Sequence, residues 1–335
     1  MERGLLSVII LNYNNGDYIY ETLESVISQT YPFIEIIICD DCSSDFPEDK
    51  IRDWIDDHKG SNIKDLKISR NPENRGTVYN TEMGFSLASG DYGTLIAADD
   101  VYYSNDVFET FIDELERLGK DAMIVAGQVA MMDSTLTKNQ YDFVGKIDKT
   151  LLEGLEPQQL FEELSLRCFY PAVCFWRKGL HNIVGKLSDH YRMIEDWTQS
   201  LRLSRQGIKL HYLDVYMMKH RDGGISHGNK KGTSKSYMYY VNDNIEAYKR
   251  EILPYIADFS SKSVEEILRI YSYWVATAQP NNKGAEEDSG EDATEEESKQ
   301  GTLPEYTLVS RGVRAILRKM INVLTIIYNS TAKAR

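Results

Sequence analysis

The sequence predicts an α/β protein with a mostly parallel central sheet covered by helices. Short apolar runs of strand length alternate with segments whose apolar residues recur at helical spacing. The 335 residues suffice for one large domain or two smaller ones. Hydrophobic residues make up 42% of the chain and aromatic residues 11%, which indicates a packed core.

The alternation is clearest in the first hundred residues. Predicted strands cover Leu5–Leu11, Ile34–Ile38, Leu66–Ile68 and Tyr92–Ala97. Predicted helices lie between them, over the apolar positions from Ile19 to Ile27, over Phe46–Asp57 and over Thr77–Ala88. Pro32 ends the first of these helices, and Ser89-Gly90 ends the third. Because the first strand is a continuous apolar run, we expect it to be buried on both faces of a parallel sheet.

The rest of the chain continues the pattern and then changes character. Further helices are predicted at Val107–Leu118, Leu160–Leu166 and Trp197–Arg205, and further strands at Ala122–Met131 and Ala172–Trp176. Past residue 230 the pattern is helical, with Tyr237–Ile252 and Val264–Ala278 as helices. We therefore predict an α/β domain at 1–228, a helical extension at 229–279, an acidic disordered linker at 280–305 and a basic amphipathic helix at 306–335.

The last two segments have opposite charges. Ala285–Glu297 contains eight acidic residues and no basic one, as in a solvated linker. Arg311–Arg335 contains six basic residues and no acidic one, and its apolar residues recur at helical spacing. Such a helix suits an anionic membrane surface, which predicts peripheral membrane contact. The alternative is packing on its own domain or on a partner subunit. Packing on a partner subunit would make the protein a homo-oligomer.

Overall charge and targeting features limit the partners and the compartment. The net charge of −14 argues against nucleic acid as the main partner. The first apolar run is too short for a secretory signal, and no apolar stretch reaches about 18 residues. We expect a cytoplasmic protein with reduced cysteines. Cys39 and Cys42 form a C-x-x-C, but no second pair completes a zinc site, so we favour a structural role.

Pairs of carboxylates follow two of the predicted strands. Asp40 and Asp41 follow the second strand, and Asp99 and Asp100 follow the fourth. Since ligands in parallel sheets bind beyond the carboxyl ends of the strands, both pairs belong to one edge. Adjacent acids there favour a cation, and Mn²⁺ or Mg²⁺ held by one or two carboxylates and substrate phosphates fits best. Arg75 offers a further positive charge.

Several segments resemble family 2 glycosyltransferases in their amino-acid sequence and in their order along the chain. The matching segments are Ser7–Asn14, Leu23–Tyr31, Glu35–Asp45, Asn74–Asn80, Ala88–Asp100 and Ile194–Leu203. The resemblance covers roughly residues 5 to 227. It implies a GT-A fold and inverting transfer of a sugar from a nucleotide-diphosphate sugar to an acceptor hydroxyl.

The resemblance also implies roles for individual residues. The nucleotide base would be surrounded by Leu11, Tyr13, Asp41 and Arg75. Asp41 would accept a hydrogen bond from an imide N–H, which favours uracil and a UDP-sugar donor, and Tyr13 offers a ring for stacking. Asp99 would contact the ribose, and Asp100 would bind the metal ion between the phosphates. Ala97 stands where the common D-x-D motif has its first acid, so metal dependence rests on Asp100.

The reaction also needs a base on the far side of the sugar from the metal. The resemblance implies Asp196 for this role, whereas capping of the following helix is the structural alternative. His220–His227 resembles the family's flexible "R-x-H-x-x-S" loop, but in this sequence no His stands two residues after Arg221. By this resemblance Arg221 would contact the diphosphate, and His220 or His227 would contact the metal. The "QxxRW" of processive synthases is absent, because Leu203 stands where Trp belongs. We therefore expect one sugar per encounter.

The acceptor is expected to be a saccharide. The family often uses lipid-linked acceptors at the inner membrane face in capsule or envelope polysaccharide assembly, and the basic terminal helix would suit that location. Two alternatives stay open. A sugar-nucleotide nucleotidyltransferase shares this kind of sheet, but a Gly-rich signature loop is missing where Ser7–Asn15 stands. A catalytically silent nucleotide-sugar-binding scaffold would explain the lost acid at Ala97.

Overall fold

The structure is a computed structural model that describes residues 3–44, 46–223 and 235–278. The chain divides into two compact units, Met1–Ile256 and Ala257–Arg335. The predicted linker at 280–305, the basic segment at 306–335 and His227 lie outside the described residues. The predicted domain boundaries stay predictions.

The first unit alternates strands and helices as predicted. Its strands are β1 (Leu6–Asn12), β2 (Ile34–Asp40), β3 (Ile63–Arg70), β4 (Tyr92–Ala97), β5 (Val101–Tyr102), β6 (Ile124–Met132), β7 (Asn139–Asp142), β8 (Phe175–Arg177) and β9 (His211–Arg221). Its helices are α1 (Ile19–Ile27), α2 (Glu48–His58), α3 (Thr77–Leu87), α4 (Val107–Leu118), α5 (Lys146–Gly154), α6 (Pro157–Leu166), α7 (Leu180–Val184), α8 (Glu195–Arg205) and α9 (Lys235–Ala247). A π-helical turn, Tyr248–Ile252, and a 3₁₀ segment, Leu253–Asp258, follow α9.

The sheet is mixed, which refines the prediction of a mostly parallel one. Its strand order is β3-β2-β1-β4-β8-β6-β9-β5, with β7 paired to β6. The first four strands in that order are parallel to one another. Beyond β4 the direction changes, because the short β8 pairs antiparallel with both β4 and β6. The parallel half, which carries the predicted nucleotide site, therefore agrees with the sequence.

The burial of the first strands explains why the sequence pattern predicts them. Every residue of β1 and of β2 is buried, as expected for parallel strands covered on both faces. Behind β6 and β8 the core is aromatic, and the rings of Phe111 and Phe175 stack with their centroids 5.2 Å apart. Gly84 of α3 lies so close to Ile9 that a β-carbon there would be 2.4 Å from the isoleucine Cγ2 atom.

Several elements were not predicted. They are β5, β7, β9, α5 and α7. Strand β9 alternates irregularly between exposed and buried residues, so its pattern has neither a clear period of two nor a continuous apolar run. The predicted helix Tyr237–Ile252 is α9 plus the π-helical turn.

In the second unit the structure describes helix α10, Ser261–Thr277, near the predicted Val264–Ala278. Ser260 caps its start by accepting a hydrogen bond from the Ser263 N–H at 3.2 Å. Within the described ranges, no helix has both the length and the apolar character needed to cross a membrane.

Candidate active site

The residues predicted to bind the nucleotide and the metal lie at the carboxyl edge of the parallel strands. Leu11 at the end of β1 pairs with Cys39 on one side and Ala97 on the other. Just past the ladder, the Asp41 N–H donates to the Asn12 carbonyl and the Ala98 N–H donates to the Leu11 carbonyl, both at 2.9 Å. The two acidic pairs therefore leave the sheet on either side of β1, as the sequence predicted.

Asp40 and Asp41 have different surroundings. Asp40 is fully buried and accepts hydrogen bonds from the Asn12 amide at 2.7 Å and from the Ser43 N–H at 3.0 Å. Arg70 lies 3.3 Å from the same carboxylate. Asp40 thus shapes the loop after β2, in which Cys42 adopts a positive φ of 64°.

Asp41 is turned towards the start of α3. Its Oδ1 accepts from the Arg75 N–H and the Asn71 amide, both at 2.8 Å, and its Oδ2 accepts from the Gly76 N–H at 2.7 Å. A carboxylate oxygen has two lone pairs, so Oδ2 can accept one further hydrogen bond. This arrangement is compatible with recognition of an imide N–H, which stays a prediction.

The other residues assigned to the base lie around this loop. The guanidinium of Arg75 lies 3.9 Å from the centroid of the Tyr79 ring, which holds the exposed side chain over α3. Tyr13 is 37% exposed at the end of β1, so a ring face is available for stacking. Leu11 is 9% exposed below it.

Strand β9 brings two further residues to the acidic pair after β4. The Oδ1 of Asp100 accepts from the Arg221 N–H at 2.9 Å, and its Oδ2 lies 2.9 Å from His220 Nδ1. Burial and the neighbouring Asp100 raise the pKa of Asp99. Burial alone would lower the pKa of His220, but the hydrogen bond to Asp100 and the nearby carboxylates raise it. This corner therefore has an excess of negative charge that a cation would relieve.

Arg221 is buried and largely engaged within the protein. Its guanidinium donates to the Asp99 and Ser134 carbonyls and to the Glu21 carboxylate, each at 2.8 Å. It also lies 4.4 Å from the centroid of the Tyr18 ring. Three of its five N–H groups are thus used to join β9 to β4 and α1. The predicted contact with the diphosphate stays a prediction and would draw on the remaining two.

The donor set fits a hard divalent cation only with help from a ligand. Across residues 3–44, 46–223 and 235–278, no three His, Cys, Asp or Glu side chains are grouped to hold a metal ion. Asp100 offers carboxylate oxygens beside Asp99, whose pKa is raised. Mn²⁺ or Mg²⁺ bound there can complete its coordination with phosphate oxygens and water. The residues present therefore fit a metal shared with a diphosphate.

The predicted base, Asp196, lies in the first turn of helix α8 next to a second acid, Glu195. Burial raises the pKa of both Glu195 and Asp196, and in Glu195 the negative charge of Asp196 adds to the effect. The Sγ of Cys168 lies 3.9 Å from Asp196 Oδ2. A raised pKa makes the ionised carboxylate a stronger proton acceptor than an ordinary aspartate.

The segment before Asp196 contacts the loop that Asp41 organises. Arg192 donates to the Asn74 carbonyl at 2.8 Å, and its own carbonyl accepts from the Val78 N–H at 3.1 Å. Asp243 of α9 accepts from the N–H groups of residues 192 and 193 at 2.8 and 2.6 Å. The sequence analysis did not identify Arg192 or Asp243, because neither belongs to a local motif and only the fold brings them together.

The same region matches known proteins. The family model described as "Glycosyl transferase family 2" matches residues 7–182. The glycosyltransferase GlyG of Streptococcus pneumoniae is 32% identical over 39% of this chain and 41% of its own. The Escherichia coli protein WfaP, a UDP-Glc:alpha-D-GlcNAc-diphosphoundecaprenol beta-1,3-glucosyltransferase, is 37% identical over 31% of this chain and 38% of its own. The matches thus span about two fifths of these relatives.

A solved structure agrees with the fold. The mannosyltransferase PcManGT of Pyrobaculum calidifontis, in complex with GDP-Man and Mn²⁺, aligns with a TM-score of 0.51 at 15% identity, over 83% of this chain and 73% of its own. This likeness confirms the predicted GT-A fold. Because the family model covers more than half of the chain, the protein belongs to glycosyl transferase family 2.

Proposed function

We propose that the protein transfers one sugar from a UDP-sugar to a hydroxyl of a saccharide acceptor, with inversion at the anomeric carbon. The observation that carries this proposal is the link through Arg192, which joins the nucleotide loop at Asn74 to the segment that leads into Asp196. This contact holds the segment of the proposed base against the loop of the proposed nucleotide site, and a single displacement requires such proximity.

The donor half rests on Asp41 and its surroundings. The carboxylate Oδ2 has capacity for one more hydrogen bond, and the exposed ring of Tyr13 can stack on a base. Leu11 and Arg75 border the same loop, and Asp99 would meet the ribose. The relative WfaP is named for the donor UDP-Glc, which supports a uridine donor.

Asp100 would hold Mn²⁺ or Mg²⁺ together with the diphosphate, with His220 beside it. The metal would supply Lewis-acid stabilisation of the charge on the departing diphosphate. Arg221 would add a hydrogen bond to the same oxygens. PcManGT with GDP-Man and Mn²⁺ supports this metal class.

Asp196 would take the proton of the acceptor hydroxyl as that oxygen attacks the anomeric carbon and the bond to the diphosphate breaks. Its raised pKa improves its basicity, and the sulfhydryl of Cys168 lies at the same carboxylate. The acceptor is proposed to be a lipid-linked saccharide, because WfaP is named for a diphosphoundecaprenol acceptor.

The test compares Asp196→Asn with the wild-type protein. Loss of the base should lower kcat by about 10²- to 10⁴-fold, while the Kd for UDP with Mn²⁺ stays within about twofold. The measurements are sugar transfer or slow hydrolysis of UDP-sugars, and calorimetry with UDP. Asp57→Asn, on the exposed side of α2, is the matched control and should leave both unchanged.

Two results would contradict the proposal. Near-normal turnover of Asp196→Asn would remove this residue as the base. UDP binding without any turnover of a panel of UDP-sugars, in the wild-type protein with an acceptor mixture, would favour a silent scaffold. If GDP- or dTDP-sugars alone raised the melting temperature, the uridine assignment would be wrong.

A further inference from the structure

The chain that leads into the proposed base has no side-chain cap of its own. Helix α8 begins at Glu195, and the side chain of Ile194, the residue before it, accepts no hydrogen bond. Ser, Thr, Asp or Asn usually occupies this position and accepts from the free N–H groups at the start of a helix. The N–H groups at this end of α8 therefore depend on other acceptors.

Asp243 of α9 is the acceptor for the residues just before the helix. Its Oδ2 accepts hydrogen bonds from the Arg192 N–H at 2.8 Å and from the Met193 N–H at 2.6 Å. Burial raises the pKa of this carboxyl, and a hydrogen bond from the Ile194 N–H is among the contacts that oppose the rise. Asp243 is only 5% exposed. Three successive N–H groups directed at one buried carboxylate fix the path of the chain into α8.

The position of the proposed base follows the position of the first turn of α8. Burial raises the pKa of Asp196, and hydrogen bonds from its own N–H and from the Trp197 N–H oppose the rise. Both donors belong to the first turn of α8. Because these bonds tie the Asp196 carboxylate to the backbone, a displacement of this turn would carry the carboxylate with it. A misplacement of about 1 Å in an active site can lower a rate about a hundredfold.

The same segment also contacts the nucleotide loop. Arg192 donates to the Asn74 carbonyl at 2.8 Å, and the Arg192 carbonyl accepts from the Val78 N–H at 3.1 Å. The guanidinium carbon of Arg192 lies 4.5 Å from the centroid of the Tyr239 ring. Tyr239 and Asp243 are four residues apart and share one face of α9. Helix α9 therefore holds the segment through its backbone and through its arginine side chain, and the segment in turn contacts the nucleotide loop.

We infer that Asp243 is a positioning residue for the transfer reaction. Through three backbone N–H groups it fixes the start of α8 and thereby holds the carboxylate of Asp196 in place relative to the donor site. This inference rests on the proposed function, in which Asp196 is the base. It makes α9 necessary for full activity, although the match to the family model ends at residue 182.

The test compares Asp243→Ala and Asp243→Asn in the full-length protein. The assay uses the UDP-sugar that the wild-type protein turns over fastest, with Mn²⁺. Alanine removes the acceptor, whereas asparagine keeps one carbonyl oxygen that can accept from two N–H groups. We expect kcat to fall by about 10- to 100-fold in Asp243→Ala and by less than about threefold in Asp243→Asn. The Kd for UDP with Mn²⁺, measured by calorimetry, should stay within about twofold of the wild type in both variants.

A control separates positioning from a general loss of stability. Glu35→Gln removes another buried carboxylate that accepts a backbone N–H, from Ser89, at the other end of β2. At a temperature at which every variant is folded, this control should keep the wild-type kcat. Hydrogen exchange adds a measurement that needs no substrate. In Asp243→Ala, amide exchange of the peptide that contains residues 192–197 should become faster, whereas in Glu35→Gln it should not change.

The outcomes distinguish this inference from the proposed function. If Asp196→Asn is inactive while Asp243→Ala keeps the wild-type kcat, only this inference is wrong. It is also wrong if Glu35→Gln loses as much kcat as Asp243→Ala, or if the alanine and asparagine variants of Asp243 lose kcat equally. Near-normal turnover of Asp196→Asn contradicts the proposed function itself, and Asp243 then has no base to position. A wild-type protein that turns over no UDP-sugar contradicts both proposals.

Discussion

At the scale of single residues, the loop between β3 and α3 depends on one glycine. Gly76 has a positive φ of 90°, and its N–H donates to Asp41 at 2.7 Å. A β-carbon at this position would lie 2.4 Å from Arg192 Cγ and 2.5 Å from the Arg192 carbonyl oxygen. Glycine at this position therefore allows both the hydrogen bond to Asp41 and the close contact with Arg192.

We expect Gly76→Ala to destabilise the protein by about 1–3 kcal/mol, because alanine is strained at this φ and collides with Arg192. Urea unfolding at neutral pH measures the loss. Gly154→Ala is the matched control, since this position in α5 has open space around a β-carbon, and its stability should be unchanged or higher by about 0.4–1 kcal/mol. Equal losses in the two variants would contradict the argument.

A buried carboxylate at the other end of β2 gives a pH dependence. Burial alone would raise the pKa of Glu35, but the salt bridge to Lys67 at 2.7 Å and hydrogen bonds from Ser7 and Ser89 lower it to about 2. A depressed pKa means that the carboxylate stabilises the folded state above the ordinary pKa of 4.5. This contribution is lost as the pH falls from there towards 2.

Glu35→Gln should therefore cost about 3 kcal/mol at neutral pH and less than half of that at about pH 3, because the wild-type carboxylate has then partly lost its advantage. Urea unfolding of both proteins across this pH range measures the difference. Glu73→Gln, at an exposed position, serves as the control and should stay within about 0.5 kcal/mol of the wild type. A Glu35→Gln cost that does not change with pH would contradict the assignment.

At the scale of elements, α8 is held in place by the turn after α9. Glu251 of the π-helical turn is buried and pairs with Arg202 at 2.7 Å and Arg205 at 2.9 Å, both on α8. Tyr191 donates to the same carboxylate at 3.0 Å. The turn therefore helps to hold the helix whose first turn contains the proposed base.

Removing this buried charge should be costly. We expect Glu251→Gln to lower the free energy of unfolding by about 3 kcal/mol, because two arginines lose their shared partner. Glu246→Gln, which breaks exposed pairs to Lys249 and Arg250, should cost less than about 1 kcal/mol. Denaturant unfolding of the two variants gives the comparison, and similar losses would show that the buried pair has no special weight.

At the scale of the whole molecule, charge is divided unevenly along the sequence. Ala285–Glu297 holds a net charge of −8 and Arg311–Arg335 holds +6, which leaves −12 on the remainder. A single net value of −14 therefore conceals a basic end on an acidic protein.

We expect the full-length protein to bind vesicles that contain phosphatidylglycerol, and added salt to weaken the binding. Replacing Arg311, Arg314 and Arg318 by Glu should reduce binding by about a hundredfold or more, since each base near an anionic surface contributes about 1 kcal/mol. Co-sedimentation measures the partition. The same charge change on the exposed body, by Lys50, Lys59 and Lys120→Glu, should have little effect. Equal losses would mean that net charge alone decides the binding.

The sequence by itself determined the α/β class, the positions of the first four strands along the chain and the family. Strands buried on both faces are nearly continuous apolar runs, and the paired acids that follow them stand out against these runs, so both features are visible locally. These local features are sufficient to identify the edge on which Asp41 and Asp100 lie.

Only the tertiary structure decided what surrounds those residues. The contacts of Asp100 with β9, of Arg192 with Asn74 and of Asp243 with the segment before Asp196 join positions far apart in the sequence. Local pattern reports burial and turns, whereas partner choice depends on packing between distant elements, and packing is set by the whole fold.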